Sequence, residues 1–230
     1  MKVSVIIPVH NGSAYLVETL ESVFAQTCAP HEIIAVDDGS SDSSPQLLAS
    51  FGDRVKIVRQ PNQGVAAARN AGLAHASGDL ISFLDQDDLW PRDRTRVMVE
   101  ALRAQPDAQV AAGLVEMLYQ RTERTTDVDL SCAHREYLVG SICVRAGLFA
   151  ALGPFHTGIG YADDTDFMIR RLETNTKTLY LPEVTLIYRV HAGNTSIDNS
   201  VSQYHLMAAL RERLKRRRGG NEDKLRHPGP

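Results

Sequence analysis

The stretch Ser82-Phe83-Leu84-Asp85-Gln86-Asp87-Asp88-Leu89-Trp90 decides the fold. An apolar run entering from Leu80 and Ile81 ends here in three carboxylates within four residues, which repel one another unless a cation sits among them. In an extended segment residues i and i+2 point the same way, so Asp85 and Asp87 converge on one point while Gln86 turns aside. Magnesium and manganese suit that arrangement, because such cations are held by one or two carboxylates and complete their shell with water and substrate phosphates. The expected site is half protein and half phosphorylated substrate. The competing reading is an acidic turn capping a helix opened by Pro91.

Upstream, the run Val3 to Ile7 closed by Pro8 has the near-continuous hydrophobicity of a strand covered on both faces. After Asn11-Gly12, the spacing of Leu16, Leu20, Val23 and Phe24 predicts an amphipathic helix ending near Thr27. A second strand, Glu32 to Val36, runs into Asp37-Asp38-Gly39-Ser40-Ser41-Asp42, and Ser44-Pro45 opens a short helix through Phe51. A third strand follows from Val55 to Val58. Pro61-Asn62-Gln63-Gly64 then turns into an alanine-rich helix, Val65 to Ala76, stopped by Gly78. The fourth strand, Asp79 to Leu84, delivers the acidic cluster. His10, Asn11, Asp37, Asp38, Asp85 and Asp87 all lie just past the C-terminal ends of predicted strands, the edge at which open parallel α/β sheets bind ligands. That recurrence predicts a nucleotide-type site.

Downstream, the pattern predicts a helix from Pro91 to Gln105, a strand from Gln109 to Tyr119, a polar surface excursion over 121–135 and a strand from Tyr137 to Val144. A brief helix reaches Leu152 before a Gly153-Pro154 break. Gly158-Ile159-Gly160-Tyr161-Ala162 leads into a second acidic cluster, Asp163-Asp164-Thr165-Asp166, at the start of a helix bearing Phe167, Met168, Arg171 and Leu172. Two short strands, Thr178 to Leu181 and Val184 to Tyr188, precede Arg189-Val190-His191-Ala192-Gly193-Asn194. Tyr204, Met207, Leu210 and Leu214 mark one more amphipathic helix, which gives way to Lys215-Arg216-Arg217-Arg218-Gly219-Gly220. The organisation expected is a main domain over 1–198, with a nucleotide-binding half at 1–105 and an acceptor half at 106–198. A C-terminal helix over 199–218 and a disordered tail over 219–230 follow.

The 230 residues are 43% apolar and 23% charged with a net charge of −3, the balance of an ordinary soluble globular protein without the basic field that nucleic acid demands. No apolar run approaches the roughly 20 residues that span a bilayer. The Val3 to Ile7 run is too short for a signal peptide, and Cys28, Cys132 and Cys143 have neither disulfide parity nor metal-site spacing. A cytoplasmic location is the default. The Arg211 to Arg218 run reads as a solvated tail or as a peripheral contact with the inner face of an anionic membrane, and the tail is preferred.

Taken together these stretches resemble a family 2 glycosyltransferase with a GT-A type fold, a Rossmann-like open mixed sheet flanked by helices. The resemblance rests on six segments in order: Ser4 to Asn11, Val36 to Asp42, Asn62-Gln63-Gly64 with Ala68-Arg69-Asn70, Leu84 to Asp88, Asp163 to Asp166, and Tyr188 to His191. It implies that Pro8, His10 and Asn11 border the nucleotide base, and that Asp38, beside Asp37, hydrogen-bonds the base edge. A carboxylate accepts from the ring N–H of uracil or thymine. By the same resemblance Asn62 and Gly64 belong to the nucleotide site, and Arg69 lies against the base or the donor phosphates, the alternative being a solvated helix arginine. Asp85 is directed to ribose and metal, Asp87 to a Mn2+ or Mg2+ ion, and His191 to the metal or diphosphate unless it is merely structural. Asp88 is expected to cap the next helix.

For catalysis the resemblance assigns Asp164 as the base that takes the acceptor hydroxyl's proton, with Asp163 standing where glutamate is usual. The competing reading has both cap their helix. Trp90 and Tyr161 are candidates for the acceptor side, although core packing is the better expectation for Trp90. The activity implied is metal-dependent, inverting transfer of a sugar from a nucleoside-diphosphate donor, UDP foremost, to a hydroxyl of a glycan, lipid-linked or small-molecule acceptor. The rivals are a sugar nucleotidyltransferase, which wants a glycine-rich loop where His10-Asn11-Gly12-Ser13 stands, and a non-catalytic nucleotide-sugar or glycan-binding module, which needs no base.

Overall fold

The strand Val3–Val9 (β1) is buried along its whole length, and its side chains alternate between two cores. Val3, Val5, Ile7 and Val9 enter one, packed with Leu16, Leu20 and Met98. Ile6 enters the other, with Phe83, Phe155 and Phe167. A strand with apolar residues at successive positions is stable only with layers on both faces, and the fold supplies them. The structure is a computed structural model and describes residues 1–119, 138–174, 176–191, 193–194 and 207–216, with Tyr161 described by its backbone alone.

Around β1 the sheet adds Glu32–Asp38 (β2), Lys56–Gln60 (β3), Leu80–Phe83 (β4), Val110–Tyr119 (β5), Ile142–Arg145 (β6) and Thr178–Val190 (β7) in the order β3-β2-β1-β4-β6-β5-β7. Pairings among β1 to β4 are parallel, β6 runs antiparallel to both β4 and β5, and β7 is parallel to β5. The chain thus grows from β1 outward to β3 and returns to the other side of β1 as β4. That reversal opens a crevice beyond the C-terminal ends of β1 and β4. The helices are Leu16–Phe24 (α1), Ser44–Ser50 (α2), Val65–His75 (α3), Arg94–Ala104 (α4), Gly147–Leu152 (α5), Asp163–Glu173 (α6) and 207–216 (α7). The expected open mixed α/β sheet is the one observed.

Several boundaries differ for physical reasons. The helix after the acidic loop begins at Arg94, not Pro91, because Leu89 still pairs with Ile187 and the chain turns through Pro91, whose carbonyl accepts from Arg94 N–H at 3.0 Å. The strand expected from Tyr137 is a 3-10 turn at Val139–Ser141 followed by β6. The two short strands over 178–188 are one, β7. Pro182 does not break it, because it sits exposed on a sheet-edge strand, and the irregularity appears as register shifts against β5 around Leu114. The first helix ends at Phe24.

The C-terminal helix is described over 207–216, where Arg213 and Arg216 are ion-paired with Glu173 and Asp166 of α6 while Arg211 and Lys215 are exposed; Arg217 and Arg218 lie outside the described residues. The expected excursion over 121–135 and the tail over 219–230 lie outside the described residues. No helix among the described residues is long and apolar enough to cross a membrane.

Candidate functional site

At the end of β1, His10 sits in a hydrogen-bonded rim. Its Nδ1 lies 2.9 Å from the Asp38 carbonyl and its Nε2 lies 3.2 Å and 3.3 Å from the amide nitrogens of Asn62 and Asn11. A carbonyl only accepts and an amide nitrogen only donates, so these partners select the Nδ1–H tautomer. Asn11, at φ 52°, accepts through Oδ1 from the N–H groups of Ser41 and Asp42. Asp37 accepts from Ser40 N–H at 3.0 Å. Asp38 is 3% exposed and accepts from Gln60 Nε2 at 2.7 Å, Gln63 N–H at 2.9 Å and Gly64 N–H at 2.8 Å. Gly64 reaches it with φ 89°, a backbone region that side chains avoid. A carboxylate has about four lone-pair sites, and three on Asp38 are filled by these donors.

Past β4 the acidic loop is held from three directions. Gln86, between the first two aspartates, accepts from His10 N–H at 2.8 Å and donates to the His10 carbonyl at 3.0 Å. A Cβ on Gly12 would fall 2.2 Å from the Gln86 amide oxygen, so glycine is needed for this approach. Thr19 Oγ1 lies 2.8 Å and 2.9 Å from the carbonyls of Gln86 and Asp88. From β7, buried Arg189 donates to the Asp87 carbonyl at 2.8 Å and pairs with Glu18 at 2.6 Å, while its N–H donates to Asp88 Oδ1 at 2.9 Å. Asp88 is therefore a buried acceptor for β7 and does not cap the next helix.

The same grip brings His191, one residue past β7, to Asp87, with Nε2 and Oδ2 3.0 Å apart and the Tyr15 ring 4.5 Å from the imidazole. Burial first, and then the charge of Asp85, hold the Asp87 carboxyl above the usual range. Burial and the charges of Asp85 and Asp87 push Asp88 well above it. This is a loop with surplus negative charge.

Among the expected metal ligands, Asp87 and His191 stand 3.0 Å apart, while Asp85 Oδ1 is paired with Arg69. Among the described residues no group of three or more His, Cys, Asp or Glu forms a metal cage. A carboxylate and an imidazole beside a raised-pKa acid loop fit Mn2+ or Mg2+ if substrate phosphate completes the shell, as these ions prefer.

Arg69, on α3, joins the two acidic clusters. Its Nη2 lies 2.8 Å from Asp85 Oδ1, and its Nη1 lies 2.6 Å from Asp163 Oδ2 and hydrogen-bonds Asp164 Oδ1. The side chain is 3% exposed, so it is no solvated helix arginine. Burial acts to lower its pKa, but the charges of Asp164, Asp85 and Asp163 outweigh burial and hold it well above the usual value. Asp164, 22% exposed, is pushed up to about 7 by burial and by the charges of Asp163 and Asp85, against the pull of Arg69. Asp163 and Asp164 are the first two residues of α6, whose cap residue is Ala162. Asn70, next to Arg69, exchanges two hydrogen bonds with the Phe155 backbone at 2.8 Å and 2.9 Å and so ties α3 to the segment before α6.

Trp90 is 3% exposed with its ring 3.7 Å from the Arg94 guanidinium. It is core, and the acceptor-lining expectation for it is corrected. Tyr161 has its backbone in the turn Gly160–Ala162 immediately before Asp163, and its side chain lies outside the described residues. Gln86, Asn70 and Arg189 had not been assigned roles from the sequence. Each spends its polar atoms partly or wholly on distant backbone groups, a signal that spacing along the chain does not carry.

Comparison with known proteins agrees with this fold. The profile of glycosyl transferase family 2 matches residues 4–139, which is more than half of the chain. An uncharacterized glycosyltransferase of Nostoc sp. is 43% identical over 107 residues, covering 45% of this chain and 33% of that protein. One of Rickettsia typhi is 28% identical over 210 residues, covering 84% of this chain and 65% of the relative. The chain thus spans between a third and two thirds of the length of these two relatives. Among solved structures, S. aureus TarS 1-349 in complex with UDP superposes with a TM-score of 0.69 at 20% identity, covering 90% of this chain and 65% of that one. The mannosyltransferase PcManGT from Pyrobaculum calidifontis, in complex with GDP-Man and Mn2+, gives 0.69 at 21% identity, covering 93% and 64%. Both share the fold described above.

Proposed function

This chain belongs to glycosyl transferase family 2, and on that premise we propose that it transfers a sugar, with inversion, from a nucleoside diphosphate to a hydroxyl acceptor. The single observation that carries the reading is Arg69, whose guanidinium spans Asp85 of the acidic loop and Asp164 of α6. Residues suited to the two ends of a displacement reaction are thereby held on one rigid fork.

The donor base lies in the rim formed by His10, Asn11, Asp38, Asn62 and Gly64, where the Asp38 carboxylate suits the ring N–H of uracil. Asp87 and His191 would hold a divalent ion, which would supply positive charge against the departing diphosphate. Asp164 accepts the acceptor hydroxyl's proton while the oxygen forms a bond to the anomeric carbon and the carbon–phosphate-oxygen bond breaks on the opposite side. A carboxyl held near 7 is matched to that task, being mostly ionised just above neutrality yet basic enough to take a proton. The turn carrying Asp163 and Asp164 faces the acceptor side, and a glycan, lipid-linked or small-molecule hydroxyl is the acceptor class.

Calorimetric titration with UDP, GDP and dTDP, each with Mn2+ and with chelator, tests the donor half. One nucleotide should bind, and its affinity should fall at least about tenfold on chelation, the loss of one charge-assisted contact set. Failure of all three to bind would remove the reading.

A further inference from the structure

Helix α7 lies beyond the region matched by the family, residues 4–139, yet it packs against the turn that carries the candidate base. Ala209, fully buried, sits in one small cluster with Ile159 and Ala162, and Ala162 directly precedes Asp163. Glu212 lies 3.6 Å from His156 of the same approach segment. Arg213 reaches the far end of α6, with its Nε 2.9 Å from Glu173. Arg216 reaches the near end, with Nη1 2.6 Å from Asp166 Oδ1, and its Nη2 stands at a longer 3.8 Å from Glu173 Oε2.

Asp166 is 1% exposed, and a carboxylate so deeply buried requires its charge to be met. Arg170 of the same helix meets one oxygen, Oδ2, at 2.8 Å. The other oxygen is met from outside α6 by Arg216. Successive helical residues are about 100° apart, so Asp164 and Asp166 leave α6 on different faces. Arg69 of α3 grips Asp164 together with Asp163, and Arg216 of α7 grips Asp166. The first turn of α6 is thus anchored from outside the helix by two arginines on different elements, and loss of Arg216 would leave it anchored by α3 alone.

We infer that Arg216 is a positioning residue for the transfer reaction: through Asp166 it fixes the rotation of the first turn of α6 and so the place of Asp164. The inference rests on the proposed role of Asp164 as base. Arg213, bound at the other end of α6, contributes to docking of α7 without setting that turn.

Hydrogen exchange of the purified protein over residues 159–166, compared among wild type, Arg216→Ala, Arg216→Lys and Arg213→Ala, tests the placement without any substrate. Arg216→Ala should exchange about tenfold faster there, Arg213→Ala should match wild type, and Arg216→Lys should fall between, because a point charge replaces a planar fork. The same variants are then assayed for release of UDP from UDP-GlcNAc and of GDP from GDP-Man with Mn2+, water serving as acceptor. Arg216→Ala should lose about tenfold in kcat with KM unchanged, a placement loss, and Lys should recover part of it.

Wild-type exchange in Arg216→Ala overturns the inference, and so does equal acceleration by Arg213→Ala, which would make α7 a stabilising helix only. If Arg216→Ala does not fold, Arg216→Lys is judged by the same comparison with Arg213→Ala. Asp164→Asn run alongside separates the two ideas: undiminished turnover in that variant removes the base reading, while the exchange data still decide whether Arg216 sets the turn.

Discussion

Arg69 faces three carboxylates with a single positive charge, and that imbalance governs behaviour at the residue scale. Asp164 carries the strain as a pKa of about 7, raised from 3.8. Between those values the folded chain holds a proton that the unfolded chain releases, so the contribution of Asp164 to stability is full below about pH 4 and is lost as pH rises through about 7. Asp164→Asn should therefore gain on wild type in urea unfolding as pH is raised from 5 to 8, while losing about 10³-fold in turnover. A variant that falls behind wild type across that range would contradict the assignment. In wild type, kcat/KM for the donor should rise with pH around 7, and a flat profile from pH 5.5 to 8.5 would speak against Asp164 as the base. Arg69→Met leaves Asp163 buried without its cation and should cost about 3 kcal/mol in unfolding free energy. Pairing it with Asp163→Asn should restore part of that loss. None of this imbalance is visible along the chain, because Arg69 and Asp163 stand 94 residues apart. The acids were legible as acids, but not as partners of one arginine.

At the scale of elements, the strands β1 to β4 were legible because each is a short apolar run ended by turn chemistry, and the polar ends of β1, β2 and β4 face one crevice. The elements after β5 were less so. Thr178–Val190 reads as two strands on account of Pro182, and only its place at the sheet edge lets it continue. That continuity matters for the site. β7 pairs through Ile187 with Leu89, places Arg189 against Asp87 and Asp88, and ends one residue before His191. The acidic loop is thus fastened to β7 on one side and, through Gln86, to the loop after β1 on the other. Gln86→Ala removes both hydrogen bonds to His10 and should weaken nucleotide binding about tenfold, as expected for one to two net hydrogen bonds, with little change in melting temperature. Gln86→Glu should be worse, because its carboxylate faces the His10 carbonyl and adds to the charge of Asp85 and Asp87. Unchanged nucleotide affinity in both variants would show that the two loops do not depend on each other.

For the whole molecule, the crevice exists because the chain lays β2 and β3 on one side of β1 and then crosses to lay β4 on the other. The rim that suits a base and the acids that suit a metal and a proton are brought together by that crossing. Ligands that bind only the folded state stabilise it by mass action, about 2.7 kcal/mol at a hundredfold excess over Kd. UDP with Mn2+ should therefore raise the melting temperature of wild type. In Asp87→Asn the increment due to Mn2+ should vanish while any due to UDP alone remains, and an unaltered increment would exclude Asp87 from the metal site.

The most direct measurement is the anomeric configuration of the transferred sugar. A panel of α-linked nucleoside-diphosphate sugars, UDP-GlcNAc and GDP-Man among them, is incubated with Mn2+ and a mixture of glycan and alcohol acceptors, and the product's anomeric proton is read by NMR in wild type and Asp164→Asn. Displacement with Asp164 as base predicts a β-linked product that is formed by wild type and lost in Asp164→Asn. An α-linked product, or a β-linked product formed equally by the variant, would contradict it.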